Sequence, residues 1–302
     1  MIPITNKSFV CFGEVLFDIF PSSTKIGGAP LNVAVRLAAL GNYSSVISRI
    51  GSDKLGKEIV NYLKLNNVNA SCLQTDEELK TGQVLVNLDE KGSATYTINY
   101  PSAWDKIEVT HENEQLVSSS DAIVFGSLIC RDERSQHTLL QLLQLARFRV
   151  FDVNLRQPFY EIKILNKLMQ IADFIKFNEE EIFEICELNG ESKLSLKECI
   201  VYISKFTNTS QICVTRGSNG AVLYINEQFY EHQGYSIKVA DTVGAGDSFL
   251  AGLLHQLLQN TEPNEALDFS CALGALVAGE NGANPSITVS DIVAFIQSNS
   301  HN

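Results

Sequence analysis

Chemistry is most concentrated in Asp241-Thr242-Val243-Gly244-Ala245-Gly246-Asp247-Ser248-Phe249, which runs into a helical pattern carrying Leu250, Leu253, Leu254 and Leu257. Two glycines and an alanine ahead of a helix leave backbone N–H groups uncovered. At the positive end of the helix dipole such groups suit a phosphate or a developing negative charge. A carboxylate in that first turn repels phosphate unless it has work to do there, and accepting a hydroxyl proton during phosphoryl transfer is such work. The plainer role for Asp247 is a helix N-cap, and spacing alone leaves the two readings level. A second loop, Gly27-Gly28-Ala29-Pro30, precedes a helix whose first turn holds Asn32. Upstream, Gly13-Glu14-Val15-Leu16-Phe17-Asp18 sets a carboxylate past the first strand, where it can accept polyol hydroxyls.

Two other glycine patterns fail on their chemistry. Gly244-x-Gly246 has Phe249 where a dinucleotide fingerprint needs its third small residue. Gly51 to Lys57 follows the P-loop spacing, but Glu58 stands where a hydroxyl must meet Mg²⁺. That segment reads as a loop and helix start.

Elements that would position these residues alternate along the chain. Apolar runs at 9–12, 45–48, 122–125, 149–152, 174–176 and 211–214 read as buried strands; 33–40, 55–65, 138–146 and 164–171 read as helices. The alternation predicts βαβ units and an α/β fold with a parallel sheet covered on both faces. Between 82 and 100, Val84, Val86 and Leu88, then Tyr96, Ile98 and Tyr100, alternate with other residues around a turn-like 89–92. Such a hairpin either extends the main sheet or stands over a site as a lid. No linker or repeat divides residues 1–302, so one domain is expected.

With 23 Lys+Arg against 35 Asp+Glu, the 302-residue chain has a formal net charge of −12. This balance argues against nucleic acid or an anionic membrane as partner. Any anionic substrate must be held by local cations, helix N-termini or a metal ion. Seven dispersed cysteines without a C-x-x-C pair predict reduced thiols rather than disulfides or zinc ligands. The opening residues lack a signal-peptide pattern, and no apolar run approaches the roughly 20 residues that span a bilayer. A cytoplasmic protein is expected.

The two glycine loops together, in this order and separation, resemble the signature regions of the ribokinase-like, or PfkB, carbohydrate kinases, and the similarity runs over nearly the whole chain. Gly-Gly-Ala-Pro, Gly-Glu-x-Leu-x-Asp and Asp152-x-Asn154-x-Arg156 are most similar to fructokinases. The resemblance implies a three-layer α/β/α fold with a mainly parallel central sheet and a small β lid, from about 14–26 and 82–104, often shared in a homodimer. It implies ATP-dependent phosphorylation of a sugar, with Asp247 as base and Gly244, Ala245 and Gly246 as anion hole. Asp18, Gly27, Gly28, Asn32 and Arg156 would bind the sugar, with Trp104 stacking on it or packing the lid. Asn178, Thr215, Arg216, Gly217, Gly220 and Gly246 would bind ATP. Glu181 would reach Mg²⁺ through water, and Asp241, Val243, Gly282 and Ser286 would surround a monovalent cation such as K⁺. Lys176 points either into the core or toward phosphate. Fructose is the preferred sugar; ribose, 2-keto-3-deoxygluconate and other sugars stay open, as does a catalytically silent sugar-binding scaffold.

Overall fold

Burial along the first strand, β1 (Ser8–Phe12), explains the layering. Val10 and Phe12 join one apolar cluster, while Phe9 and Cys11 join another. A strand whose alternate residues are all buried lies at the centre of a sheet covered on both faces.

The computed structural model describes residues 6–21, 23–88 and 94–299. The remaining strands are β2 (Leu16–Ile19), β3 (Thr24–Gly27), β4 (Tyr43–Gly51), β5 (Leu73–Asp76), β6 (Gly82–Leu88) and β7 (Ala94–Ile98), then β8 (Ala122–Gly126), β9 (Arg149–Asp152), β10 (Phe174–Asn178), β11 (Gln211–Thr215), β12 (Ala221–Ile225) and β13 (Gln228–His232). The helices are α1 (Ala29–Ala39), α2 (Lys54–Leu65), α3 (His111–Ser119), α4 (Glu133–Leu143) and α5 (Ile162–Ile171). They continue with α6 (Glu179–Leu188), α7 (Leu196–Thr207), α8 (Ala245–Leu257), α9 (Pro263–Ala278) and α10 (Val289–Asn299).

Nine strands form the main sheet in the order β13-β12-β11-β10-β9-β8-β1-β4-β5. Pairing is parallel from β5 to β11, and β12 and β13 add an antiparallel edge that strand periodicity had not predicted. One face carries the cluster with Leu139, Leu165, Ile182 and Ile200 of α4 to α7. The other carries Leu31, Ile59, Leu250 and Leu267 of α1, α2, α8 and α9. This is the expected α/β/α arrangement. Beside β1 the chain winds toward β4 on one side and β8 on the other. In open α/β sheets such a reversal opens a crevice at the strands' carboxyl ends.

The hairpin does not extend the main sheet. Strands β6 and β7 join β2 and β3 in a separate four-stranded sheet, ordered β3-β2-β6-β7. The turn expected at 89–92 lies outside the described residues. All four helices read from apolar periods start earlier than expected, two of them by about a turn. Helix α1 begins at Ala29, with Gly28 at φ 111 before it and Pro30 in its first turn. Helix α4 begins at Glu133, because Asp132 caps it by accepting from the Arg134 N–H. The P-loop-like segment is a strand end and a capped helix, with Asp53 accepting from the Gly56 N–H. All seven cysteines are free thiols. No helix among the described residues is long and apolar enough to cross a membrane.

Candidate active site

Helix α8 starts without a side-chain cap. Gly244 adopts φ +77, and a Cβ there would lie 2.6 Å from Ala283, so the turn admits only glycine. The Ala245 N–H donates to Thr242 O at 3.3 Å and the Ser248 N–H to Gly244 O at 2.8 Å. Among the described residues no acceptor meets the N–H groups of Gly244, Gly246 or Asp247. Of the three N–H groups expected to form an anion hole, those of Gly244 and Gly246 are unengaged and that of Ala245 is engaged, while the Asp247 N–H is unengaged as well among the described residues.

The Asp247 carboxylate is held from α1. Asn32 Nδ2 donates to Asp247 Oδ2 at 2.8 Å, and Asn284 Nδ2 donates to Asn32 Oδ1 at 2.9 Å, which fixes the orientation of the amide. Desolvation, reinforced by the Asp152 charge, pushes Asp247 up to about 6, against the pull of Asn32, Lys176 and Arg156. The side chain is nevertheless part-exposed, so it sits deep in a cleft rather than sealed in the core.

Strand parity settles Lys176. Phe174 and Val150 belong to the cluster on the α8 face, so Lys176 and Asp152, two residues further along β10 and β9, point to that same face. Lys176 Nζ donates to Asp152 Oδ1 at 2.9 Å, with both side chains buried. It also lies 3.6 Å from where a Gly246 Cβ would be, which puts an ammonium beside the start of α8. Burial alone would lower its pKa, but Asp152 and Glu181 raise it, so Lys176 stays charged. Asp152 thus pairs with Lys176, and Arg156 is exposed, donating to Leu155 O at 2.8 Å.

Two cavities meet at this point. One, of about 630 Å³, is lined by Glu14, Asp18, Gly28, Asn32, Asn154, Arg156, Lys176 and Asp247, with apolar walls from Leu16, Ile26, Val84 and Ile98 of the small sheet. The other, of about 780 Å³, is lined by Asn178, Thr215, Gly217, Gly220, Tyr235, Phe249, Gly274, Ala275 and Ala278. Asn178, Thr215, Thr242 and Gly246 line both. Both volumes suit small-molecule ligands. The first cavity offers acceptors and cations among apolar faces, as a sugar needs. The second takes Gly274, Ala275 and Ala278 of α9 on its lining, with polar Asn178, Thr215 and Thr242 on the wall it shares with the first.

Several expected residues have other work. Trp104 is fully buried in the core cluster and lines neither cavity. Its ring lies 3.8 Å below the Arg131 guanidinium, which forks onto Asp105 with two 2.8 Å bonds. A Cβ on Gly82 would lie 2.5 Å from Trp104 Nε1, so this tryptophan roots the small sheet and does not stack on a ligand. Gly27 packs against the Asp18 carboxylate rather than lining the cavity. Arg216 donates back to His232 O at 3.3 Å and lines neither cavity.

Glu181 forms a capping box with Asn178. It accepts from the Asn178 N–H at 2.8 Å on one oxygen and from the Leu155 N–H at 3.0 Å on the other. Its carboxylate thereby ties the start of α6 to the loop after β9. Among the described residues no group of three or more His, Cys, Asp or Glu side chains could hold a metal ion. Asp241 accepts from the Val243 N–H at 3.0 Å and the Gly282 N–H at 3.2 Å, and so ties its own loop to the one that carries Gly282. The cation beside it is Lys25, whose Nζ is 3.2 Å away, and Ser286 is exposed on the same loop. Sequence reasoning gave no role to Glu14 or Asn154, although both stand inside quoted motifs, and it missed Asn284, which no motif marks and only the topology brings to the site.

Comparison with known proteins covers the whole of this architecture. The family model described as pfkB family carbohydrate kinase matches residues 6–289. The chain is 31% identical over 314 residues to the probable fructokinase-6, chloroplastic, of Arabidopsis thaliana, covering 94% of this chain and 80% of that one. A fructokinase from Vibrio cholerae O395, solved with fructose, ADP and potassium ion, superposes with a TM-score of 0.83 at 26% identity, over 97% of this chain and 99% of that one. A fructokinase with bound ATP from Xylella fastidiosa shares the fold, with a TM-score of 0.88 at 22% identity over 98% and 100% of the two chains.

Proposed function

The chain belongs to the pfkB family of carbohydrate kinases, and from that premise we propose that it transfers the γ-phosphoryl group of ATP to a hydroxyl of fructose. It is an ATP-dependent sugar kinase; the sugar and the residue roles are the proposal. The observation that carries it is Asp247, part-open to the cavity with sugar-binding chemistry, one residue from the Gly246 wall that both cavities share. Fructose is favoured because most named relatives are fructokinases, among them one solved with fructose and ADP.

Phosphoryl transfer asks chiefly for alignment and charge stabilisation. The sugar oxygen attacks the γ-phosphorus as the bond to the ADP oxygen breaks, and Asp247 takes the hydroxyl proton. Asn32 aims the carboxylate. The free N–H groups at the start of α8 and the Lys176 ammonium offset the charge that develops between the two cavities. Mg²⁺ would come on the nucleotide's phosphates and neutralise part of their charge, since the described residues supply no cage of their own. The small sheet, whose side chains wall the sugar cavity, acts as the lid that keeps water from the phosphoryl group.

A coupled ADP-release assay with MgATP across fructose, ribose, glucose, mannose and 2-keto-3-deoxygluconate tests this reading. Fructose should give the highest kcat/KM. Asp247→Asn should lower kcat roughly a hundred- to ten-thousand-fold with ATP binding kept. Full activity in that variant removes Asp247 as base, and preference for another sugar changes the substrate but not the chemistry.

A further inference from the structure

We propose that Glu14 reads one hydroxyl of the bound sugar and so determines specificity, an inference that rests on the sugar-kinase reading of this cavity. The residue lies two positions past the end of β1, at the carboxyl-end crevice where the winding of the sheet reverses. It is only 3% exposed, yet it lines the sugar-side cavity with Asp18, Asn32, Arg156 and Asp247. Its Oε2 is buried with no hydrogen-bond partner among the described residues. Native structures rarely leave such an atom unpaired without reason, and a ligand hydroxyl is the group that would complete it.

Its place is enforced from behind. Gly28 packs so tightly on this turn that a Cβ there would lie 2.4 Å from the Glu14 carbonyl oxygen. The charges that act on the carboxyl are Arg156, which favours its ionised form, and Asp247, which opposes it. Burial outweighs both and, against the pull of the Glu14 and Ala29 N–H groups, pushes the group up to about 7. Near neutrality a large share therefore carries a proton, and the acid can donate to a sugar oxygen as well as accept from a hydroxyl. Asp18 is half-buried, and Asp247 is committed to Asn32 and to the reacting proton, so neither does the same work. A cavity that hydrogen-bonds a hydroxyl from a desolvated group rejects the analogue that lacks it.

The competing role is purely structural, a cap on the first turn of α1. The test removes the hydroxyl from the sugar and the acid from the protein in turn. Monodeoxy analogues of the best parent sugar are assayed with the native enzyme, Glu14→Met and Glu14→Gln, alongside thermal melts. One analogue should lose roughly ten- to a hundredfold in kcat/KM with the native enzyme. Glu14→Met should lose a similar factor with the parent sugar and nothing more with that analogue, its ATP KM staying within about twofold. Equal deoxy penalties in Glu14→Met and native enzyme overturn the inference, as does a change confined to melting temperature. Should Glu14→Met fail to fold, Glu14→Gln decides: exchanging O–H for NH₂ should alter the deoxy penalty at least threefold, and an unaltered penalty overturns it. Absence of turnover with every parent sugar is a different failure, that of the kinase reading itself.

Discussion

A carboxyl pushed up to about 6 works in two opposite senses as pH rises. The base form of Asp247 accumulates, so kcat/KM for the sugar should climb through about pH 6 and then level. Stability moves the other way. The folded carboxyl holds its proton to a higher pH than the unfolded one, whose value is near 3.8. The stability from that proton is fully present below 3.8 and is lost as pH rises through about 6. Asp247→Asn, which keeps the Asn32 hydrogen bond without the charge, should therefore be more stable than the native chain at pH 7.5 by about 1–3 kcal/mol. At pH 4 the gap should close. Urea melts at the two pH values check this, and a gap independent of pH would show that desolvation is not what raises the group. The motif made Asp247 legible in the sequence, but not its buried neighbours. Asp152 and Lys176 lie on β9 and β10 and Glu14 on the turn after β1, so their proximity depends on those three strands lying close in one sheet.

At the scale of elements, the interior strands were legible because burial on both faces makes each a short, nearly continuous apolar run. Helix starts were not, because Gly28 and Asp132 act through backbone angle and capping, which leave no apolar trace. The small sheet depends on one close approach. Gly82 opens β6 against Trp104, with the Val15 carbonyl 2.9 Å from where a Cβ would stand. Trp104 cannot retreat, since Arg131 covers its face and Asp105 holds Arg131. Gly82→Ala should accordingly cost about 1–3 kcal/mol through overpacking, and it should raise the sugar KM as the small sheet that walls the cavity shifts. Gly126→Ala in β8 is the control, because its Cβ would meet only Asp152 O at 3.5 Å. Denaturant midpoints that fell equally in both variants would remove the tryptophan root as the cause.

Across the whole molecule, a sheet with two apolar faces holds the carboxyl ends of its central strands at one rim. Glu14 after β1, Asn154 after β9, and Asn178 and Thr215 at the ends of β10 and β11 therefore meet at that rim. Composition foresaw the need for local cations in a chain of net charge −12, and Lys176 beside the start of α8 supplies one. Composition could not foresee that Arg216 would turn away, since its carbonyl partner, His232, lies on an edge strand absent from the sequence reading. The wall formed by Asn178, Thr215, Thr242 and Gly246 has a thermodynamic consequence. Whatever ordering of that wall one ligand brings about, the other finds already done. A non-hydrolysable ATP analogue should then bind more tightly when sugar is present, by a factor of about 5 to 150. Linkage requires the sugar's affinity to rise by the identical factor when the analogue is present, so calorimetric titrations run in both orders must close the same cycle. A factor of one in both directions would mean that the wall is rigid in the empty protein. The kinase would then gain nothing in affinity from holding its two substrates side by side.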